Sequence, residues 1–452
     1  MEDEFRPNPD FDQSGPAKPR CEREDALFVL RRLRDADYAA YFAGGCVRDL
    51  LLGREPKDWD VATDAPPERV RTLFSNTQAV GAAFGVILVR KGGSAVEVAT
   101  FRADAQYVDG RHPTAVRFTT AQEDAQRRDF TINGLFLDPL KDAPLEGQVI
   151  DYVGGRDDLK ARLIRAIGDP DARFNEDHLR MLRAVRFAAR FGFEIEPATA
   201  AAIRSHSPQL TRISPERIAD ELRTMLTPPA RVEAYRLLDS LHLRGLLFRF
   251  FPPSNGGARM DRSVSVFNAA APGRGVAFAL SLAAASLDEQ LWRLPPASDP
   301  RPLFQRSSVQ KVVHALRQSL KISNEESEAV QGALEGIAPL VTDAYPTVAT
   351  LKRFLALPTS DLSRELLESL RVTATLDGAR VEQLQKQLAA LEQTEFAPPP
   401  LITGDDLTAA GMSPGPAFKR ILDAAYDAQL EDRITTREQA MEMAMRLAAE
   451  KK

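Results

Sequence analysis

The sequence predicts an α+β protein, in which a small head with a mixed or antiparallel sheet precedes an elongated, all-helical neck, body and tail. Short segments rich in β-branched residues, joined by tight turns, occur only in the first 155 or so residues. Beyond them the apolar residues recur at helical spacing. Strands confined to one end of a chain favour a sheet with segregated helices over alternating βαβ units.

The head begins with a helical segment and continues through a series of short strands. Helical spacing predicts a helix in CEREDALFVLRRLRDA, residues 21–36, and YFAGG at 41–45 predicts a strand that ends in a turn. Alternating or β-branched residues then predict further strands. These are GVILVRK (85–91), SAVEVATF (94–101), AVRFT (115–119), GLFLDP (134–139) and QVIDYV (148–153).

The remaining chain divides at changes in composition. Residues 1–20 are acidic, polar and proline-rich and are expected to form a disordered leader before the head at 21–160. The helical part is expected to comprise a neck at 161–226, a body at 227–345 and a tail at 346–452. Within the neck, Ser214 and Pro215 provide an N-cap and a first-turn proline.

Composition excludes several classes of protein. A net charge of −5 excludes a chain that is basic throughout, so a nucleic acid would have to bind at a local patch. Two cysteines, Cys21 and Cys46, are too few for a disulfide framework or a structural zinc site. No apolar run approaches the roughly 18 residues of a membrane span, and the N-terminal segment lacks a signal-peptide core. A cytoplasmic location is expected.

Alternating carboxylates mark the first candidate site. In DWDVA, residues 58–62, Asp58 and Asp60 are two apart and would share one face of a strand. Two adjacent carboxylates repel each other unless a cation lies between them, and Mg²⁺ is the usual cation. Glu97 alternates with buried valines in SAVEVATF and completes a cluster of three carboxylates if the two strands pair. Such a cluster holds two metal ions for phosphoryl transfer; the alternative is a solvated strand end.

The double glycine before these carboxylates is a second candidate feature. Gly44 and Gly45 lie between a predicted strand and the helical segment CVRDLLLG, residues 46–53. Glycines at this position let backbone N–H groups approach phosphates at the start of a helix. An ordinary tight turn is the alternative, and no Walker-type G-K-[ST] follows.

A basic motif follows in RRDFTINGLFLDP, residues 127–139. The guanidinium forks of Arg127 and Arg128 suit triphosphate oxygens. Asp129 and Asn133 are four residues apart, so one helical turn would place both on one side, where they could bind a ribose. The alternative is a charged junction between a helix and a strand.

Three segments, in this order, resemble the head of the class II tRNA nucleotidyltransferase and bacterial poly(A) polymerase family, which belongs to the polymerase-β nucleotidyltransferase superfamily. The segments are GGCVRDLLLGREPKDWDVAT (44–63), VEVATFRADAQYVDGRHP (96–113) and RRDFTINGL (127–135). The resemblance implies that Asp58 and Asp60 bind the metals and that Glu97 is the third acidic catalytic residue. It implies further residues that hold the triphosphate, with Asp129 contacting the ribose: Gly44, Gly45, Arg48 and Arg128.

The resemblance extends beyond the head. It runs through VIDYVGGRDDLKARLIRAI (149–167) and RISPERIADELRTML (212–226), and it reappears at 401–440 in a segment that resembles the tail of bacterial CCA-adding enzymes. It is strong in residues 41–225 and weak in 240–400. One departure is Gly134, where the family commonly has Ala or a Met-type residue; we expect only a difference in packing there.

NEDHLRMLRAVRFAARFGFEI, residues 175–195, is predicted to form one helix on which Asp177 and Arg180 share a face. A carboxylate only accepts hydrogen bonds and a guanidinium only donates them. The pair therefore matches the edge that cytosine and adenine share and rejects uracil and guanine. The resemblance, through E-D-x-x-R, implies that this pair selects CTP and ATP. Arg183 and Arg186 continue the stripe as additional nucleotide- or RNA-binding residues, unless the stripe is only a solvated face.

The expected activity is template-independent addition of CCA, or of the terminal A, to the tRNA 3′ end. CTP and ATP are the substrates, two Mg²⁺ ions the cofactors and pyrophosphate the product; Mn²⁺ is the other metal considered. The tRNA 3′ end is the expected partner, with neither a membrane nor DNA. The alternatives are a poly(A) polymerase and a non-catalytic RNA-binding relative.

Three features of the sequence favour tRNA over poly(A). VGAAFGVILVRKGG, residues 80–93, lacks the basic G-R-R stretch of similar poly(A) polymerases, the C-terminal segment is short, and the tail resembles the tRNA-binding kind. The stretch between Arg102 and Arg127 has full length, whereas a shortened one accompanies enzymes that add only C. This length favours an enzyme that adds A.

Overall fold

The computed structural model describes residues 23–81, 85–91, 93–104, 116–248, 265–295, 298–342, 345–413 and 415–449. The chain divides into two compact units, Met1–Ile213 with Leu241–Leu243, and Ser214–Ser240 with Arg244–Lys452. The predicted leader and the centre of the stretch between Arg102 and Arg127 lie outside the described residues. The finer boundaries between neck, body and tail stay predictions.

The first unit is built on a seven-stranded sheet. Its strand order is β3-β4-β5-β2-β1-β8-β9. Strand β1 is antiparallel to β2 and β8, whereas the central strand β2 is parallel to β5, so the predicted mixed sheet is confirmed. The strands are β1 Ala40–Ala43, β2 Val61–Thr63, β3 Thr77–Gly81, β4 Val86–Lys91, β5 Ser94–Thr100, β6 Arg102–Asp104, β7 Val116–Phe118, β8 Leu135–Leu137 and β9 Val149–Asp151.

Every strand predicted for the head is present, and β3 and β6 are two additional strands that the sequence analysis did not predict. β6 and β7 pair with each other outside the main sheet. Small and aromatic side chains fill the space between one sheet face and the helix that precedes the double arginine. This cluster comprises Ala43, Ala62, Phe101, Ala121, Ala125 and Phe136.

Nine α-helices are described in the first unit, with 3₁₀ turns at Thr131–Asn133 and Ser207–Arg212. Helix α4, which carries Ala121 and Ala125, begins at Thr120, whose hydroxyl accepts a hydrogen bond from the N–H of Glu123. The helices are α1 Arg23–Arg34, α2 Gly45–Leu51, α3 Pro67–Leu73, α4 Ala121–Gln126, α5 Leu145–Gln148, α6 Gly155–Ala161, α7 Pro170–Glu176, α8 Arg180–Phe191 and α9 Pro197–His206.

The single helix predicted for residues 175–195 is wrong. Helix α7 ends at Glu176, Asp177 is extended with φ −147°, and α8 begins at Arg180. The Asp177 carboxylate accepts a hydrogen bond from the N–H of Leu179 at 3.0 Å, and such local bonds compete with the helical pattern. Gly192, at φ +67°, ends α8 in the left-handed conformation that favours glycine.

The neck also contains a short sheet that the all-helical prediction did not include. Strand β10, Leu163–Ile164, pairs in parallel with β11, Glu194–Ile195. The Glu194 N–H donates to the Arg162 carbonyl, and the Glu196 N–H donates to the Ile164 carbonyl, both at 3.0 Å. This pairing connects the chain that leaves the head to the end of α8.

The second unit is helical throughout its described residues, as predicted for the body and tail. Its last helices surround a separate small core of Ile402, Leu407, Ile421, Ala425, Ala440 and Ala444. No helix among the described residues is long and apolar enough to cross a membrane. The helices are α10 Pro215–Leu226, α11 Arg231–Ser240, α12 Arg244–Leu247, α13 Val266–Ala269, α14 Phe278–Leu291, α15 Arg306–Leu320, α16 Asn324–Glu335, α17 Ala338–Thr342, α18 Val348–Leu355, α19 Ser360–Val372, α20 Gly378–Glu392, α21 Gly404–Ala409, α22 Pro416–Leu430 and α23 Arg437–Ala449.

Gly134 allows close packing beneath the sheet. A Cβ atom at this position would lie 2.6 Å from Cγ2 of Val153 and 3.3 Å from Cδ1 of Ile167. The φ of Gly134 is −89°, so the backbone would accept another residue and only space is lacking. The departure from the family pattern therefore has a packing consequence in this chain.

We expect Gly134→Ala to lower the free energy of unfolding by about 1–3 kcal/mol, because the added methyl group overpacks the contact with Val153. Denaturant titration measures the change. Val153→Ala in the Gly134→Ala background opens the space and should restore part of the loss. Equal stability of Gly134→Ala and the parent protein would contradict this account.

Candidate functional site

The two predicted metal-binding aspartates lie immediately before β2. The sequence analysis expected Asp58 and Asp60 to lie within a strand. The hydrogen-bonded strand starts at Val61, so both residues precede it. The predicted alternation nevertheless holds, because Trp59 and Val61 are buried, whereas Asp58 is exposed and Asp60 is partly exposed. The N–H of Ala43 in β1 donates to the Asp60 carbonyl at 3.1 Å and fixes the backbone there.

Parallel pairing of β2 with β5 brings the third carboxylate to the same place. Val61 is opposite Val98 in this pairing, so extending the register by one residue places Asp60 opposite Glu97. Paired residues on neighbouring strands point to the same face of a sheet. Val61 and Val98 are buried on the other face. The register therefore places the Asp60 side chain, just before β2, on the same face as the Glu97 side chain in β5.

The donor chemistry of these residues fits Mg²⁺. Carboxylate oxygens are hard ligands, and Mg²⁺ is commonly bound by one or two carboxylates together with substrate phosphates. Among the residues that the structure describes, no group of three His, Cys, Asp or Glu side chains is arranged to hold a metal ion. The metal-binding role of Asp58 and Asp60, with Glu97 beside them, stays a prediction.

Gly44 forms a turn that Arg128 closely approaches. Its φ is +72°, and a Cβ atom would lie 2.8 Å from Nη1 of Arg128. Gly44 donates its N–H to the Leu135 carbonyl at 3.0 Å, and α2 begins at Gly45. Only glycine accommodates both the left-handed φ and the neighbouring guanidinium without strain. The structure thus brings together the double glycine and the second basic motif, which are more than 80 residues apart in the chain.

Asp124 is a site residue that the sequence analysis missed. Its buried carboxylate accepts hydrogen bonds from Arg127 and Arg128, and from the N–H of Arg102 at 3.3 Å. Burial alone raises the pKa of this carboxyl, but the two guanidinium groups outweigh burial and lower it. The spacing was the available signal, because Asp124 precedes the double arginine by three and four residues at the end of a helix.

Asn133 joins the basic motif to α2. Its Oδ1 accepts from Nη1 of Arg48 at 2.6 Å, and its Nδ2 donates to Oδ1 of Asp129 at 3.0 Å. The predicted proximity of Asp129 and Asn133 is therefore present, on a 3₁₀ turn instead of an α-helix. The Asn133 carbonyl also accepts from Nη1 of Arg128 at 3.3 Å.

Arg48 is buried, with only 4% of its surface exposed. It donates from Nε to Oδ1 of Asp49 at 2.8 Å, and its guanidinium carbon lies 5.2 Å and 4.7 Å from the ring centroids of Phe187 and Phe191. Burial lowers the pKa of this guanidinium. The structure thus places Arg48 between α2 and α8, and its predicted contact with a triphosphate stays a prediction.

Asp129 is a second buried carboxylate of the site, and it accepts hydrogen bonds from both the head and α8. Its Oδ2 accepts from Nε of Arg183 on α8 at 2.7 Å, and its Oδ1 accepts from the N–H of Phe130 at 2.8 Å. Burial alone raises the pKa of Asp129, but Arg183 and the hydrogen bond from Asn133 more than offset burial and lower the pKa to about 2. Asp129 is therefore ionised throughout the physiological range and joins the head to the neck helix.

The predicted base-reading residues lie at the start of α8, although not on one helical face. Arg180 is buried and donates from Nη1 to Oε2 of Glu176 at 2.6 Å and to the Arg173 carbonyl at 3.2 Å. Its Nη2 donates to the Arg127 carbonyl at 3.3 Å. Asp177 lies in the turn between α7 and α8. Arg186 packs over the ring of Phe187, with 4.4 Å between guanidinium carbon and ring centroid.

Comparison with known families identifies two parts of the chain. Residues 40–165 match the "Poly A polymerase head domain", and residues 192–252 match the "Probable RNA and SrmB- binding site of polymerase A". The mixed sheet with its glycine turn thus lies in the part of the chain that matches this head domain, and a mostly helical remainder follows it.

Individual proteins extend this comparison. A CCA-adding enzyme of Geobacillus thermodenitrificans is 44% identical over 216 residues, which are 48% of this chain and 52% of that one. Poly(A) polymerase I of Escherichia coli O6:H1 is 43% identical over 256 residues, covering 53% and 54% of the two chains. The crystal structure of the Bacillus stearothermophilus CCA-adding enzyme in complex with CTP matches with a TM-score of 0.68 at 28% identity. The match covers 94% of this chain and 98% of that one.

These matches agree with the sequence resemblance to CCA-adding enzymes and bacterial poly(A) polymerases. The chain spans about half the length of the curated relatives that it matches in sequence. Members of both kinds match it almost equally well.

We expect Asp129→Asn to be less stable than the parent protein by about 2 kcal/mol at pH 7, because each unit of pKa depression corresponds to about 1.4 kcal/mol. The depressed pKa of Asp129 contributes stability above pH 4, and this contribution is lost as the pH falls from about 4 toward 2. Denaturant titrations at pH 7 and pH 3 measure the difference, which should shrink at pH 3.

Asp142→Asn is the matched control for this prediction, because Asp142 is an exposed carboxylate of the head. Its effect should be small and nearly independent of pH. A stability difference for Asp129→Asn that stays constant between pH 7 and pH 3 would contradict the ionic role of Asp129.

Proposed function

We propose that the protein is a template-independent RNA nucleotidyltransferase that adds CCA, or the terminal A, to tRNA 3′ ends from CTP and ATP. The observation that carries this proposal is the register that places Asp60 opposite Glu97 on parallel strands, in the same small domain as the turn formed by Gly44 and Arg128. Carboxylates for a metal and donors for a triphosphate are the two requirements of nucleotidyl transfer. We also place the reaction in the cytoplasm.

Asp58 and Asp60 would hold Mg²⁺, with Glu97 as the third acidic residue. When bound, two Mg²⁺ ions lower the pKa of an RNA 3′-hydroxyl and neutralise phosphate charge. The chain itself supplies the rigid support for these carboxylates, because the Asp60 backbone is bonded to β1 and Glu97 lies within the paired strand β5.

The triphosphate would lie against the Gly44–Gly45 turn. There the start of α2 offers backbone N–H groups, and Asp124 and the Asn133 carbonyl hold the guanidinium of Arg128 in place beside the turn. Arg128 keeps 19% of its side chain exposed, so it can still contact phosphate oxygens. Asp129 and Asn133 would bind the ribose, and Arg48 would support Asn133 from the buried side.

Each nucleotide is then added by one displacement at the α-phosphorus of CTP or ATP. The RNA 3′-oxygen forms a bond to this phosphorus as the bond to the bridging oxygen of the β-phosphate breaks, and pyrophosphate leaves. The hydroxyl proton is accepted at the carboxylate cluster. The protein contributes mostly position and fixed charge, which dominate catalysis of phosphoryl transfer.

Asp177 and Arg180 would select the base. The guanidinium of Arg180 is hydrogen-bonded to Glu176 and to two backbone carbonyls. A cytosine or adenine edge must therefore compete with these acceptors for the guanidinium. Arg183 and Arg186, farther along α8, would contact the nucleotide or the RNA.

Poly(A) synthesis is the second candidate function, because poly(A) polymerase I is 43% identical over 256 residues. CCA addition is favoured because a CCA-adding enzyme structure is matched over 98% of its own length, at 28% identity. The tail-like segment at 401–440 agrees with this preference.

Incorporation onto a tRNA that lacks its 3′ end tests the proposed function, with CTP and ATP supplied singly and together. Two C followed by one A, and then a stop, would establish CCA addition. Addition of A alone to a tRNA ending in CC would establish an A-adding enzyme. Long A tails on unrelated RNA would replace the proposal with poly(A) synthesis, and no incorporation with Mg²⁺ present would favour a non-catalytic RNA-binding protein.

We expect Asp60→Asn to lower kcat by at least about 1,000-fold while tRNA affinity changes little, because the substitution removes a metal ligand beside the reacting phosphate. Rate measurements and filter binding measure the two effects. Asp64→Asn, which changes an exposed carboxylate just after β2, is the matched control. Substantial activity of Asp60→Asn would refute the assignment.

We expect Arg180→Ala to reduce the preference for CTP over UTP by at least about 10-fold. Without the guanidinium, the uracil of UTP leaves fewer buried polar groups without a hydrogen-bond partner. Competition between the two nucleotides at equal concentration measures this ratio, which a general loss of stability would not alter. Arg173→Ala removes another cation from Glu176, at 3.1 Å, and should leave the ratio unchanged. An unchanged ratio in Arg180→Ala would refute base reading by this residue.

A further inference from the structure

A groove of about 890 Å³ lies in the head, between α1, α3 and the first strands of the sheet. This volume is toward the upper end of the roughly 300–1,000 Å³ that ligand sites occupy. Cationic and neutral polar side chains predominate in its lining. The cationic lining residues are Arg32, Arg71, Arg90 and Lys91, and the neutral polar ones are Thr72, Ser75, Asn76 and Thr77.

The groove is separate from the proposed catalytic face. Val89 of β4 lines it, and Val89 is paired with Val96 of β5. Residues directly opposite each other share a face, whereas successive residues along a strand alternate. Val96 therefore lies on the face opposite to that of Glu97, the next residue of β5. Lys91, two residues beyond Val89, shares the face of Val89, whereas Arg90 lies on the face of Glu97. A ligand bound to Lys91 would therefore occupy the other side of the sheet from Glu97.

The positive charges of the groove are not paired with carboxylates of the residues that the structure describes. Within the described parts of the chain, none of its four cationic side chains forms an ion pair with a carboxylate, and Glu68 is the only acidic residue in the lining. Arg32 instead donates to the Leu73 carbonyl at 2.8 Å, and Arg90 donates to Gln78 at 2.9 Å. In a chain of net charge −5, Arg32, Arg71 and Lys91, which have no carboxylate partner among the described residues, indicate an anionic ligand.

An aromatic side chain accompanies these charges. Phe28 of α1 remains 41% exposed, although it is a large apolar residue, and the ammonium of Lys91 lies 3.1 Å from its ring centroid. Exposed rings next to cations are typical of surfaces that bind single-stranded nucleic acid, where a base stacks on the ring and cations contact the backbone. A site for a small anion has no use for the ring.

We propose that this groove binds a single-stranded segment of RNA through its phosphate backbone, with a base stacked against Phe28. The cations come from three elements, α1, α3 and β4, so they can contact successive phosphates along a strand. The site goes beyond the proposed catalytic function, because it would hold RNA on the opposite sheet face. It extends the contact of the head with a substrate away from the reacting 3′ end.

Binding of a labelled 12-nucleotide single-stranded RNA to the full chain tests the proposal, measured without nucleotides at several salt concentrations. The test variant is Arg71→Glu/Lys91→Glu. We expect its affinity to fall at least 10-fold, and the slope of log K against log salt to decrease by about 1.4, or about 0.7 for each lost phosphate contact. Because no reaction is needed, the result is independent of whether the protein transfers nucleotides.

Arg69→Glu/Lys141→Glu is the matched control, since it makes the same change in charge on the same head. Arg69 lies on α3 with Arg71 but outside the groove lining, and Lys141 is exposed elsewhere in the head. This variant should bind RNA within about two-fold of the parent protein. Equal losses of affinity in both variants would show that only the overall charge matters and would overturn the proposal. An unchanged affinity of the test variant would also overturn it.

A second measurement needs no charge reversal and so does not depend on the folding of the test variant. The unaltered protein is irradiated with RNA that contains 4-thiouridine, and crosslinked peptides are identified by mass spectrometry. Crosslinks to residues 68–77 or to Phe28 are expected. Crosslinks confined to other parts of the chain would overturn the proposal, as would competition for the groove by tripolyphosphate alone at equal phosphate concentration.

Discussion

The ion pair between Asp129 and Arg183 is the interaction on which the site depends. It connects the basic motif of the head to α8 of the neck, and it lies in a continuous series of hydrogen bonds through Asn133 to Arg48 on α2. A buried carboxylate is stable only if its charge is compensated by nearby donors. The position of the neck helix and the position of the proposed ribose contacts are therefore determined together.

Preorganisation of cations is the second constraint. The site must offer positive charge to a triphosphate, yet arginines near one another repel and are flexible. Asp124 binds both Arg127 and Arg128 from the buried side and so holds them in place. Gly44, which has no side chain, leaves room for the guanidinium of Arg128. The proposed RNA groove differs, because its cations have no carboxylate partner among the described residues and remain available to an external anion.

Much of the head was predictable because its signals are local. Alternation of valines predicted β4 and β5, and the double glycine predicted the turn before α2. The error at residues 175–195 has an equally local cause: the helical spacing of apolar residues continues through Asp177, but its carboxylate accepts the Leu179 N–H and ends the pattern. The periodicity of apolar residues indicates which residues are buried. It does not reveal a side chain that competes for backbone hydrogen bonds.

The sequence by itself determined the fold class, most strands of the head and the candidate residues for metal, phosphate and base, because residue chemistry and spacing are local properties. Only the tertiary structure decided which of them meet. The parallel pairing of β2 with β5 places Glu97 opposite Asp60, and burial turns Arg48 inward while Asp124 becomes a support for two arginines. Strand register and burial arise from contacts between distant segments, and no spacing within one segment encodes them.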